Sequence, residues 1–430
     1  MLTETNNFML SKGQEVEFYI EKLLYGGGGL AHFGSMACFV DDVIPGETVR
    51  AHVDTVKKQY ATASLSSICE PSPHRIRPPC SLFRTCGGCQ WQHIDYSFQL
   101  YWKKLIVGEC IERIGKMRSV TVLEPFPSPA ILQYRARTNF KVSTSGDPVI
   151  GYYQRGTHRI IPVTYCPLLV SPLNKALSYC NNLRSENRAL LTDISEIQLL
   201  VSSGSEVLIS FYRDTSLKSW SIFSPDQTPD NSSNAASALS AYQQSSHDDI
   251  MGISFIRSPL TFYQINREQN AAMITIVLKY LSPCGSQNIL DLYCGCGNFS
   301  LFLAREGAHI VGIDSSSNAI DEANKNAAAN RLSHCSYVCG DVEKTIKQIM
   351  TTHFHSVLIN PPRRGCTPKT LEYINHISPR IIVYVSCNPA TLARDLKQLM
   401  GYGYCVEAVQ PVDMFPQTYH IETIIKLIKS

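Results

Sequence analysis

The stretch Ile381-Ile-Val-Tyr-Val-Ser-Cys-Asn-Pro-Ala-Thr-Leu392 decides the fold. Five consecutive β-formers stop abruptly at Ser386, Cys387, Asn388 and Pro389, the pattern of a strand buried on both faces of a parallel sheet. Cys387 therefore stands at a strand's carboxyl end, the edge of an open α/β sheet at which ligands bind. A thiol held there by a rigid strand is a candidate nucleophile. The competing reading is an inert cysteine, because free Cys is among the most buried residue types. The neighbouring sequence separates the two.

Upstream of this strand the chain reads as βαβ from Thr261 onward. Ile289-Leu-Asp-Leu-Tyr-Cys-Gly295-Cys-Gly297-Asn-Phe299 is a buried strand running into a glycine turn and a helix. His309-Ile-Val-Gly-Ile-Asp314 is a second strand with an acidic end, where a carboxylate accepts hydrogen bonds from ribose hydroxyls. Ser300 stands where a dinucleotide fingerprint carries its third glycine. That weakens NAD and favours an adenosyl ligand without a pyrophosphate, S-adenosylmethionine. Ser315 to Ser317 can cap the next helix, whose Ala319, Ala323 and Ala327 allow close packing on the sheet. Asp341 ends a third strand, and Val357-Leu-Ile-Asn360-Pro-Pro-Arg-Arg-Gly365 ends a fourth.

The amino-terminal part differs. From Gln14 to Ser67, short alternating strands (Val16, Phe18 and Ile20 on one face) and the glycine turn Gly26 to Gly29 describe a small OB-like β-barrel. Lys57, Lys58 and Tyr60 could serve such a barrel in binding single-stranded nucleic acid. Cys80, Cys86 and Cys89 follow at close spacing, the last two bracketing a Gly pair, with Cys166-Pro far downstream. This is a ligand loop for an iron-sulfur cluster or a zinc ion, with Cys166 the best available fourth ligand. A helix within residues 93–124 carries Phe98, Trp102, Leu105, Ile106, Cys110 and Ile114 on one side. Tyr134 to Val142 alternates basic and apolar residues along a strand, which puts Arg135, Arg137 and Lys141 where phosphate contacts require them. Residues 224–249, rich in Ser, Asn, Gln and Asp, read as a surface insertion without function.

A chain of 430 residues divides into two or three domains. The boundaries read as 1–68 for the barrel, 69–260 for a mixed α/β central domain with the cysteine loop, and 261–430 for a Rossmann-like domain. The helix within 93–124 is expected to pack on the last of these. No apolar run reaches the ~18 residues that span a bilayer, and the first residues lack the features of an export signal, so a cytoplasmic protein is expected. Sixteen cysteines in such a chain point to metal binding and thiol chemistry rather than disulfides. Between Arg75 and Arg159 thirteen Lys and Arg oppose five Asp and Glu, an excess of eight against +3 for the whole chain, so a polyanion would bind there.

Taken together, these motifs resemble the RNA 5-methyluridine methyltransferase family, in particular its iron-sulfur branch acting on 23S ribosomal RNA. The resemblance covers nearly the whole length. It implies a TRAM domain over Gln14 to Ser67 and a [4Fe-4S] cluster on Cys80, Cys86, Cys89 and Cys166. Phe262-Tyr-Gln264-Ile-Asn266 resembles the family's F-x-Q-x-N motif, and the resemblance implies that Gln264, Tyr293, Asn298, Asp314, Asp341 and Asn360 hold S-adenosylmethionine. Ser386 to Asp395 resembles the nucleophile motif with Cys387, and Asp413-Met-Phe-Pro-Gln-Thr-Tyr-His-Ile-Glu422 the motif that carries the base, Glu422. The family usually reads Asp-Pro-Pro-Arg where this chain has Asn360-Pro-Pro-Arg363, and an amide carries no charge.

C5 of uracil is too weak a nucleophile to take a methyl group directly. The expected scheme adds the Cys387 thiolate to C6, so that C5 attacks the sulfonium methyl, and Glu422 then removes the C5 proton. The uridine must be unstacked, as in single-stranded or looped RNA, and the enzyme is expected to act as a monomer without a membrane. Three alternatives stay open: the same chemistry on tRNA, an amino-methylating enzyme using Asn360-Pro-Pro, and a cluster-bearing RNA-binding protein impaired by Asn360.

Overall fold

A computed structural model describes residues 10–118, 120–143, 147–186, 191, 193–214, 216–224, 246–285 and 287–430. Alternation in the first strand does what the pattern requires: Val16 and Phe18 are buried and Tyr19 stands in solvent. That strand, β1 (Glu15–Tyr19), opens a six-stranded barrel with β2 (Lys22–Leu23), β3 (Gly29–Phe33), β4 (Met36–Val40), β5 (Thr48–Val56) and β6 (Tyr60–Glu70), in the order β1-β5-β6-β4-β3-β2. Lys57, Lys58 and Tyr60 are exposed where β5 turns into β6.

Helix α1 (Tyr96–Arg113) begins where the Asp95 carboxylate accepts the Phe98 N–H at 3.0 Å. Of the expected face, Phe98, Trp102, Ile106 and Cys110 pack into one cluster, while its other two members do not. Leu105 and Ile114 are exposed, whereas Gln99, Lys103, Val107 and Ile111 are buried with Ile106. The helix is sandwiched: Phe98, Trp102 and Cys110 pack with Leu23, Ile44 and Trp91 on the barrel side. Val107 and Ile111 enter the core of the carboxy-terminal sheet. Polar residues occupy that second face because partners await them. Lys103 Nζ donates to Asp413 Oδ1 at 2.5 Å and to the Phe415 carbonyl at 3.1 Å. Gln99 donates to Gln417 Oε1 at 3.1 Å and accepts the Gln417 N–H at 3.0 Å.

The central sheet comprises β7 (Arg137–Val142), β8 (Ile150–Tyr153), β9 (Ile160–Pro162), β10 (Glu196–Val201), β11 (Val207–Arg213) and β12 (Ser216–Phe223), ordered β12-β11-β10-β7-β8-β9. Helix α2 (Ser171–Glu186) covers it. The phosphate-facing strand is corrected here. Lys141 pairs with Glu196, Arg137 Nη1 donates to the Thr261 carbonyl at 2.6 Å, and Arg135 is half-buried beside the cysteine thiols. Of the segment read as an insertion, 225–245 lie outside the described residues. Its end is structural: β13 (Ser246–Ile250) and β14 (Ile253–Arg257) form a hairpin in which Asp248, buried, pairs with Arg257.

Helix α3 (Arg267–Leu281) leads into β15 (Asn288–Leu292), α4 (Ser300–Arg305), β16 (His309–Asp314), α5 (Ser317–Ala329), β17 (Cys335–Cys339), α6 (Val342–Ile349), β18 (Ser356–Ile359), α7 (Pro368–Ile377), β19 (Ile381–Ser386), α8 (Pro389–Gly401), β20 (Tyr404–Val412) and β21 (Glu422–Lys429). The sheet order is β17-β16-β15-β18-β19-β21-β20, with every strand parallel except β21, which runs antiparallel to β19 and β20 on either side. Strand order reverses between β15 and β18, the switch point at which open α/β sheets bind ligands. No helix among the described residues is long and apolar enough to cross a membrane.

Lys103→Met would leave the Asp413 carboxylate buried without a counter-charge. Urea denaturation should give a loss of about 3–5 kcal/mol in unfolding free energy.

Candidate active site

At the switch point the backbone makes room before any side chain does. Tyr293, Gly295 and Gly297 all have positive φ (63°, 56° and 88°), and a Cβ added at Gly295 would meet nothing within 4 Å. The turn is thus held in a left-handed conformation with open space over it. Asp314, ending β16, accepts the Gly295 N–H at 3.0 Å through Oδ2 and the Ser316 N–H at 2.9 Å through Oδ1. Each oxygen keeps a second acceptor site for a ligand hydroxyl. Ser300, in the place of a third glycine, is buried and its hydroxyl donates to Asp291, whose carboxyl burial pushes up to about 7. Asn298 is locked to Asn270 by reciprocal amide bonds of 2.8 and 2.9 Å. Asp341 caps α6 by accepting the Lys344 N–H at 3.1 Å. The Asn360 N–H donates to the Leu292 carbonyl at 3.2 Å, tying the ends of β18 and β15 together. Gln264 lies in a segment whose neighbours Ser258, Thr261 and Tyr263 all donate to the buried carboxylate of Glu322 on α5. These residues fit an adenosyl ligand: open glycine turn, carboxylate at the second strand's end and amides around them.

One strand pair away, β19 and β21 run antiparallel with Ser386 opposite Thr423 and Val385 opposite Ile424. Continuing that register by one residue sets position 387 across from position 422. Both therefore reach the same edge of the sheet although 35 residues separate them in sequence. Cys387 is half-buried, and Asn388 immediately caps α8, its Oδ1 accepting the Ala390 N–H at 3.0 Å with Pro389 in the first turn. Burial, then the nearby Glu422 charge, raises the Cys387 thiol to about 11, against the pull of Arg363. Burial raises Glu422 to about 8, again opposed by Arg363. Arg363 is fixed from its own carbonyl, which accepts from Asn388 Nδ2 and Thr391 Oγ1 at 3.1 Å each. Its Nη2 lies 3.3 Å from His420 Nε2. In sequence Arg363 stands only within the Asn360-Pro-Pro-Arg363 motif, because the contacts through which Asn388 and Thr391 hold it lie 25 and 28 positions away along the chain.

Cys80, Cys86, Cys89 and Cys166 all line one cleft of about 810 Å³, which extends to Arg363 and His420. Burial raises Cys86 and Cys166 and pushes Cys89 up to about 12, and the thiols raise one another. The Gly88 N–H donates to Cys86 Sγ at 3.4 Å. Arg135, half-buried near Cys89 and Cys166, has a buried Nε without a hydrogen-bond partner. Among the described residues no three Cys, His, Asp or Glu side chains converge tightly enough to hold one metal ion. A cubane cluster holds its ligands farther apart than a single zinc does. Four thiols, an amide and a half-buried cation on one cleft make a donor set that suits an anionic metal cluster.

Fold and cofactor edge together define an S-adenosylmethionine-dependent methyltransferase. Residues 252–430 match the tRNA (uracil-5-)-methyltransferase family and residues 10–66 the TRAM domain. An uncharacterized RNA methyltransferase of Gloeobacter violaceus is 34% identical, with 98% of each chain covered. Another, of Halalkalibacterium halodurans, is also 34% identical over 97% of this chain and 98% of its own. The crystal structure of Pyrococcus abyssi tRNA (uracil-54, C5)-methyltransferase in complex with S-adenosyl-L-homocysteine superposes with a TM-score of 0.73 at 25% identity, covering 96% of this chain and 99% of that one. The chain belongs to the tRNA (uracil-5-)-methyltransferase family and is an S-adenosylmethionine-dependent RNA (uracil-C5-)methyltransferase.

Glu422 holds its proton more tightly folded, at about 8, than an ordinary carboxyl at 4.5. Its contribution to stability is whole below about pH 4.5 and is lost as pH rises through 8. Glu422→Gln removes that loss, so the melting-temperature advantage of the variant over wild type should widen between pH 5 and pH 8.5. A constant difference across that range would contradict the burial.

Proposed function

We propose that the enzyme methylates C5 of an unstacked uridine in 23S ribosomal RNA through a covalent adduct with Cys387, with Glu422 as base. The observation that carries this is the β19–β21 register, which brings position 387 opposite position 422 beside Arg363. S-adenosylmethionine, when bound, supplies an electrophilic methyl group on a sulfonium. Gln264, Tyr293, Asn298, Asp314, Asp341 and Asn360 would hold it.

Cys387 Sγ bonds to C6 of the ring, and the C5–C6 π electrons move toward C4 and O4 as an enolate. Arg363, which favours the charged forms of both Cys387 and Glu422, assists formation of the thiolate. After C5 takes the methyl group, the Glu422 carboxylate removes the C5 proton. The released electron pair restores the C5–C6 double bond and expels the Cys387 thiolate. A carboxyl raised by burial suits a base that must both take a proton and return it near neutral pH.

The assignment to 23S rRNA and to a [4Fe-4S] cluster rests on the four cysteines and their resemblance to the iron-sulfur branch. Cys80, Cys86, Cys89 and Cys166 would hold the cluster, which would tie the 80–89 segment to the loop after β9.

RNA carrying 5-fluorouridine cannot lose the C5 substituent as a proton, so wild type should form an adduct that survives denaturing electrophoresis. Cys387→Ala should form none and transfer no methyl, and Glu422→Gln should slow turnover by about 10²–10⁴-fold. Methyl transfer by Cys387→Ala, or a product methylated on nitrogen, refutes the scheme. Nucleoside mapping of 23S rRNA and tRNA from cells without the gene should show the missing mark in the rRNA. Protein purified without oxygen should be brown with about four irons per chain, and Cys86→Ala should lose both.

A further inference from the structure

The barrel does more than lie beside the catalytic half. Its glycine turn, Tyr25-Gly-Gly-Gly-Gly29, enters the catalytic edge. The Tyr25 hydroxyl donates to the carbonyl of Cys387 at 3.3 Å. The Tyr25 ring meets Tyr419 edge-on, with centroids 5.4 Å apart and planes at 88°. Tyr419 is three residues before Glu422, so one barrel side chain touches both the segment that carries the thiol and the segment that carries the carboxyl. The turn is itself held in place: Trp91 Nε1 donates to the Gly27 carbonyl at 3.0 Å. A Cβ at Gly27 would approach Gln90 at 3.0 Å and Tyr419 at 3.1 Å, and Gly27 has φ of 97°. Beneath the turn, Leu23, Ile44, Trp91, Ile94 and Ile106 form a buried cluster against which Tyr25 and Tyr419 pack. A freely tethered RNA-gripping domain would need none of this.

We infer that Tyr25 is a positioning residue of the methyl-transfer reaction: its hydroxyl fixes the backbone of the nucleophile segment and its ring fixes Tyr419 in the segment leading to the base. The inference rests on the covalent reading given above. Burial raises the Tyr25 hydroxyl, and the charges of Cys387, Tyr419 and Glu422 raise it further against the opposing pull of Arg363, so it stays a donor throughout the working pH range. Cys387 must reach C6 along a defined line, and small misplacements of an attacking atom cost rate rather than affinity. The barrel thus supplies a wall of the reaction centre besides any contacts it makes to RNA.

The test uses the full-length enzyme and its Tyr25→Phe variant, which keeps the ring and its packing. Adduct formation on 5-fluorouridine RNA and single-turnover methyl transfer are measured at saturating RNA and S-adenosylmethionine, alongside the RNA dissociation constant. Tyr25→Phe should slow both rates about threefold to tenfold while the dissociation constant stays within about twofold. Tyr25→Ala, which also frees Tyr419, should slow them further. Equal rates for wild type and Tyr25→Phe, or a loss confined to RNA affinity, overturn the inference alone. If wild type itself forms no adduct, the covalent reading fails and takes the inference with it.

Discussion

The reaction centre depends on a lysine that has no access to water. Lys103 is wholly buried, and its ammonium bridges the Asp413 carboxylate and the Phe415 carbonyl. A charge so placed is tolerated because its partner is equally buried and the Phe415 carbonyl accepts a second of its protons. Together with Gln99, which clasps Gln417 from both sides, it fastens residues 413–417 to α1. Burial pushes the Lys103 ammonium below its ordinary range, and Asp413 offsets only part of that shift. The stretch from Asp413 to Glu422 is therefore largely a frame. Asp413 and Gln417 hold its position, Thr418 caps its turn through the Phe415 carbonyl at 2.9 Å, and Glu422 begins the strand that follows.

The same helix explains why the barrel and the catalytic sheet cannot be separated cleanly. One side of α1 carries aromatic residues toward the barrel and the other carries amide and ammonium groups toward residues 413–417. Trp91, just ahead of it, reaches into the barrel's glycine turn. Bridges Val122 to Val409 and Phe126 to Val412 continue the attachment along β20. A substrate RNA held by the barrel is thereby held relative to Cys387.

Much of the catalytic half was legible because its signals are local. A buried strand ending in glycine or proline, followed by a helix cap, is written in contiguous residues, and the strands read at 289–292, 309–314, 357–359 and 381–386 all form. Ser316 and Asn388 act as caps. The α1 face was misread because hydrophobic periodicity cannot register a buried ammonium or amide whose partner lies 310 residues away. Arg137 and Lys141 looked like phosphate contacts for the same reason: Thr261 and Glu196 are distant in sequence. The hairpin at 246–257 was missed because its polar composition hides Asp248, buried only by virtue of Arg257. Meeting of Cys387 and Glu422 could be anticipated from motif resemblance, but the antiparallel register that brings it about is a property of the sheet.

That sheet is finished out of order. β21 is inserted between β19 and β20, so the strand translated after all its neighbours is an interior one. A ribosome that has made residues up to 421 has produced the cofactor turn, the thiol and the barrel, yet leaves a slot two hydrogen-bonding edges wide in the middle of the fold. Until β21 is in place those two edges stay unpaired and open to aggregation, so the last strand both completes the sheet and hides its edges.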